Sequence, residues 1–141
     1  MALISINPAT CEEIKSYDEH SVSEINDILY KTKCAQQEWS LLELDFRLQC
    51  LNQISGILLD KKREFASIMA SEMGKPINQA MGEIEKCAWL CDYYKENATE
   101  FLSDKLIDTQ YHKSLVTIQP IGLILGIMPW NFPFWQVFRF A

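Results

Sequence analysis

Asn131 stands between two large rings and two prolines, in the run Pro129-Trp-Asn-Phe-Pro133. Its carboxamide is a neutral N–H donor, and proline at both ends of the turn restricts the backbone, so the amide can be held in one direction. A donor fixed in that way suits the binding of a polar ligand atom. The other reactive groups are five thiols (Cys11, Cys34, Cys50, Cys87, Cys91) and the imidazoles of His20 and His112. Cys87 and Cys91 share a helix face, but two thiols without histidine partners read as core rather than as a metal site. His20 and His112 stand alone, so neither a metal nor a catalytic role follows for them.

The element that must position Asn131 is the run before it. Gly122 to Met128 is unbroken in its apolarity and short enough for one strand buried on both faces. Pro129 ends that strand because it has no N–H to offer a neighbour. The amide then lies at the C-terminal end of a strand, where open α/β sheets bind ligands. From Phe134 onward the sequence opens another helix, for which Asn131 is alternatively a favoured cap.

Upstream, a hairpin is expected from residues 3–6 and 13–16, which flank the turn-forming Asn7-Pro8-Ala9-Thr10. Ser21 followed by Glu24 is a capping box, and the helix it opens carries Val22, Ile25, Ile28 and Leu29 on one face as far as Trp39. Ser40 with Glu43 repeats the signature before Leu44, Leu48, Leu51, Ile54 and Leu58. Asp60 is a candidate cap for a third helix with Phe65, Ile68 and Met69. Gly74 ends it, and Pro76 sits in the first turn of a fourth. That last helix keeps an apolar face from Ile77 to Phe101, with Gly82 leaving room for a neighbouring helix to approach. Its acidic residues Glu83, Glu85, Glu96 and Glu100 read most simply as a solvated face. Residues 105–110 and 114–119 alternate with the two-residue period of half-exposed strands.

Composition narrows the function. In 141 residues the apolar share is 48% and the charged share 23%, an ordinary globular balance with enough chain for a core. The net charge of −6 argues against nucleic acid, which selects clustered Lys and Arg. An odd number of cysteines in helical patterns, with no signal-like N-terminal segment, suits a cytoplasmic protein, where the Asn97-Ala-Thr99 glycosylation pattern goes unused. Residues 121–140 invite a membrane reading, and Gly122 and Gly126 have helix-dimer spacing. Pro129 and Pro133 interrupt the run well short of the roughly 20 residues a span requires.

Pro129-Trp-Asn-Phe-Pro133, preceded by Gly126-Ile-Met and by four amphipathic helices, resembles the aldehyde dehydrogenase superfamily. The likeness covers the whole chain and includes the Asn7-Pro8-Ala9-Thr10 turn, Trp39, and Glu72-Met-Gly-Lys-Pro76. It implies an α/β protein in three parts. Residues 1–102 would be the helical N-terminal part of the cofactor-binding domain, and 103–120 the strands of an oligomerisation arm. Residues 121–141 would hold the first Rossmann-like strand, the Pro-bracketed turn and the start of the next helix. The implied cofactor is NAD or NADP, lying along the main chain of Ile127, Met128, Pro129, Trp130 and Asn131. The family lacks the usual Gly-x-Gly-x-x-Gly turn, and so does this chain.

The resemblance also implies chemistry. In the family a cysteine thiolate attacks an aldehyde, a hydride passes to the nicotinamide, and water hydrolyses the thioester with help from a glutamate. The motif asparagine, here Asn131, donates to the developing oxyanion, and one such donor contributes roughly 2.7–4 kcal/mol. None of the five cysteines sits in the family's nucleophile motif, so the chain reads as the inactive first part of a longer enzyme. Arg139 matches an arginine that, in the succinate-semialdehyde branch, grips the distal carboxylate of the substrate; a guanidinium fork suits that group. Trp135 would be pocket wall. The plain alternatives are a surface acid paired with Arg139 and a core place for Trp135. The expected partners are a small carboxylate-bearing aldehyde and further copies of the chain, with no nucleic acid and no membrane. An apolar patch of Phe132, Phe134, Trp135, Phe138 and Phe140 should be exposed on the isolated segment. A non-catalytic helical oligomerisation or binding module is the rival of another class, and an aldehyde dehydrogenase of other substrate choice a third reading.

Overall fold

The computed structural model describes residues 2–140. The expected N-terminal hairpin forms from β1 (Leu3–Ile6) and β2 (Glu13–Tyr17), antiparallel, with a bulge between Ser5 and Ile6. Asn7 closes its turn: Oδ1 accepts from the Ala9 amide at 2.9 Å, and Cys11 takes a φ of 60°. The hairpin is tied to the helices by Ser5, whose hydroxyl donates to Glu72 at 2.8 Å.

Helix α1 (Val22–Ser40) begins at the expected capping box. The Ser21 hydroxyl accepts from the Glu24 amide at 3.2 Å, while the Glu24 carboxylate accepts from the Ser21 amide at 2.7 Å. Its apolar face is another matter. Val22, Ile25, Ile28 and Leu29 all stay exposed, because α1 buries no residue against another layer. Helix α2 (Leu44–Asp60) starts at Glu43 without a side-chain cap. Ser40 is spent inside α1, where its hydroxyl donates to the Gln37 carbonyl at 2.8 Å. Asp60 is likewise the last residue of α2 rather than a cap for α3 (Lys62–Met73). Gly74 ends α3 in the left-handed region at φ 70°, a conformation that glycine adopts without strain.

Helix α4 (Ile77–Phe101) runs for 25 residues and is the spine of the fold, packing against α2, α3 and α5 (Pro133–Phe140). Pro76 is its cap rather than its first residue. Ala80, Ile84, Cys87, Ala88 and Cys91 from α4 meet Leu58 of α2 and Ala66 and Met69 of α3 in one core cluster. Burying these side chains is the main favourable contribution, about 25 cal/mol for each Å² of apolar surface removed from water. All five cysteines are free.

The strand expectations are corrected. Only Lys105–Leu106 (β3) and Leu115–Val116 (β4) pair, two residues each, where two six-residue strands were expected. A two-stranded ribbon with both faces exposed lacks the packing that extends a ladder. Gly122–Met128, expected as a buried strand, forms no strand at all. Ile121 and Ile127 are each 89% exposed. Neither hairpin pairs with this run, and a ladder exists only between partners. No helix of the described residues is long and apolar enough to cross a membrane.

Candidate active site

The site is built where α5 meets α4. Pro133 opens α5, so the amides of Phe134 and Trp135 need acceptors from outside the helix. Both find the same atom. Glu83 Oε1 accepts from Phe134 and from Trp135, each at 2.9 Å. The other oxygen of Glu83 pairs with Lys75, and the two side chains are 1% and 6% exposed. The Lys75 ammonium also donates to the main-chain carbonyl of Asn131 at 3.1 Å and stands 3.8 Å from the centroid of the Phe132 ring. One buried ion pair therefore holds the turn at Asn131 and at the head of α5. Buried charges are stable only when paired and hydrogen-bonded in this manner.

This corrects the reading of Glu83 as part of a solvated face. Glu85 does lie at the surface, paired with Lys62 at 2.6 Å, but Glu83 points inward. The sequence carried a signal for it: Glu83 follows Ala80 by three residues and precedes Cys87 by four, which is the spacing of the apolar face itself. Gly82, beside it, has open space where a side chain would stand, and lines a cleft with Lys75, Glu83, Lys86, Phe132 and Trp135. The space at Gly82 faces this cleft, not a closely crossing helix.

Asn131 lies at the mouth of the turn and is exposed. Its main-chain carbonyl is committed to Lys75, while its side-chain amide makes no hydrogen bond among the described residues. It does not cap α5; Glu83 does. Trp135 is half-buried, packs against the core cluster and forms one wall of the cleft, with the Lys86 ammonium 3.8 Å from its ring centroid. Arg139 is exposed and lines a second groove, together with Arg47 and Phe138. Its guanidinium donates to Gln136 Oε1 at 2.8 Å, and among the described residues it pairs with no acid. Gln136 belongs to the first cleft and joins the two. Trp135 and Arg139 thus flank one helix without sharing a groove. Of the expected aromatic patch, Phe132 and Phe140 are exposed. Phe134, Trp135 and Phe138 turn inward onto the core, with Phe134 5.3 Å from the Phe65 ring.

Burial, followed by the nearby Glu83 carboxylate, pushes the Cys87 thiol up to about 12, and burial also raises Cys91.

Residues 2–140 match the profile of the Aldehyde dehydrogenase family. The chain belongs to that family. Among its relatives, the probable succinate-semialdehyde dehydrogenase [NADP(+)] of Synechocystis sp. is 43% identical over the whole chain, which covers 31% of that protein. The succinate semialdehyde dehydrogenase [NAD(P)+] Sad of Escherichia coli is 38% identical over 98% of the chain and 30% of its own length. The crystal structure of succinic semialdehyde dehydrogenase from Streptococcus pyogenes in complex with NADP+ superposes with a TM-score of 0.91. It shares 32% identity over 96% of this chain and 30% of that one. The chain therefore spans about 30% of the length of the relatives it matches. Its α/β fold is theirs.

The residues along that run suit an extended nucleotide. The main chain from 121 to 130 makes no backbone–backbone hydrogen bond among the described residues, which leaves its donors and acceptors available. Ile127 and Trp130 add exposed apolar and aromatic surface beside them.

Proposed function

We propose that this segment belongs to an NAD(P)-dependent aldehyde dehydrogenase that oxidises succinate semialdehyde to succinate. The observation that carries the reading is the uncommitted Asn131 side-chain amide, beside main-chain groups of Asn131, Phe134 and Trp135 that Lys75 and Glu83 hold. In this role Asn131 donates its side-chain N–H to the aldehyde oxygen as that oxygen gains charge. A donor already in place needs no reorganisation when the charge appears. The main chain of Ile127, Met128, Pro129, Trp130 and Asn131 lies along NAD or NADP. The chemistry that group supplies when bound is acceptance of a hydride. The thiol nucleophile and the general base come from residues outside these 141, consistent with the raised Cys87 and Cys91. By itself the segment is inactive.

Trp135 forms a wall for the substrate, and Arg139, steadied by Gln136, supplies the cation for its distal carboxylate. The substrate is thus a short aldehyde acid. Residues 103–120 act as an arm towards another copy of the chain in a cytoplasmic homo-oligomer. Their exposed Leu106, Ile107, Leu115 and Val116 support that part. Residues 1–102 form the helical part of the cofactor-binding domain, and 121–141 its first Rossmann-like portion.

The test is kinetic, on the full-length protein that carries the segment. Asn131→Ala should lower kcat on any aldehyde by about 10²–10³. Arg139→Ala should lose activity on succinate semialdehyde while sparing a neutral aldehyde of similar length. Equal loss on both aldehydes would remove the carboxylate role, and an unaffected Asn131→Ala would remove the oxyanion role.

A further inference from the structure

We infer that Lys75 and Glu83 are positioning residues that fix the turn bearing the Asn131 carboxamide and satisfy the helix amides beside it, leaving that carboxamide free for the reaction. The inference rests on the oxyanion role proposed above. A helix leaves its first amides without internal partners, and the side chain just before it ordinarily accepts from them; here that residue is Phe132, whose ring offers no acceptor. Asn131 lies one residue further out, and α5 does not use it. The amides of Phe134 and Trp135 both go to Glu83 Oε1 at 2.9 Å. With that need met from α4, the Asn131 side chain is not drawn back into its own helix.

The same pair also fixes the turn's direction. Glu83 Oε2 holds the Lys75 ammonium, which in turn holds the Asn131 carbonyl at 3.1 Å and faces the Phe132 ring. The main-chain carbonyl of Asn131 and the amides of Phe134 and Trp135 are therefore tied to α4 at one point. That point is rigid: Ala80, Ile84 and Cys87, around Glu83 on the same helix, are fully buried. An error of about 1 Å in the position of a reacting group can cost a hundredfold in rate, so the geometry of this anchor should be read in kcat.

The experiment uses the full-length protein and the isosteric Glu83→Gln, which keeps an acceptor for the α5 amides and removes the charge that holds Lys75. We expect kcat to fall about tenfold or more, with KM for the aldehyde and Kd for the cofactor within about threefold of the unsubstituted values. The deciding measurement is Asn131→Ala placed on the Glu83→Gln background. If Glu83 acts through Asn131, the double variant is no slower than Asn131→Ala alone; independent sites would multiply their losses. Should Glu83→Gln fail to fold, Lys75→Gln is read by the same cycle. Multiplied losses, an unchanged kcat, or a loss confined to KM overturns the positioning role and leaves the enzyme reading standing. Failure of the unsubstituted protein to oxidise any aldehyde overturns both.

Discussion

The helices α2, α3 and α4 and the stretch from 103 to 131 are both rich in apolar residues, yet only the first hides them. Met69, Ile84 and Cys87 are fully buried, whereas Ile121, Leu125, Ile127 and Trp130 stand in solvent. An amphipathic helix satisfies its own backbone and needs only one neighbour to cover its apolar face. A strand needs partners for its backbone and layers for both faces. Helix α5 falls between the two: it follows the exposed run but is drawn back by Phe134, Trp135 and Phe138 on the core and by Glu83 at its head. The difference lies in what each element requires from others, not in hydrophobicity.

The contrast can be broken first with thiol chemistry. Moving a thiol from its ordinary 9.0 to about 12 leaves about a thousandfold less thiolate, so Cys87 should label far more slowly than exposed Cys11 at pH 8. The sign of the pH effect follows. A folded-state value above the unfolded one leaves the stability intact below pH 9 and loses it as pH rises from 9 towards 12. Labelling of Cys87 at the rate of Cys11 in the native protein would show that the core is open.

A pair of isoleucines sharpens it next. Ile84→Ala should cost about 2–5 kcal/mol of unfolding free energy in urea, since it empties a site with no exposure. Ile127→Ala should stay within about 0.5 kcal/mol in the same measurement. Equal costs would mean that residues 121–128 are packed after all.

The smallest effect tests the edge of the helical region. Ser21→Ala should destabilise the fold by about 1 kcal/mol through loss of the α1 cap. The Ser21 amide and then its hydroxyl hold the Glu24 carboxyl below its ordinary 4.5. That contribution is present above pH 4.5 and disappears as pH falls through the lowered value, so the penalty of Ser21→Ala should shrink in acid. A penalty that does not change with pH would detach Glu24 from the cap.

Much of this was legible before any coordinates. The Ser21–Glu24 box, the Gly74 stop and the Asn7-Pro8 turn act within a few residues of themselves, and each is found where local chemistry put it. Ser40 and Asp60 carried equally good cap chemistry and failed, because the neighbouring helices extend over them. The Gly122–Met128 run had strand composition but nothing to pair with, and composition does not supply a partner.

The sequence by itself determined the helices, the hairpin turn, the family and the place of Asn131 between its two prolines, because caps, periodicity and a Pro-bracketed motif are properties of adjacent residues. Tertiary structure alone decided that Glu83 pairs with Lys75 and caps a helix 50 residues further on. A carboxylate is buried only where a cation and free amides converge on it, and that convergence exists only once α4 and α5 are packed together.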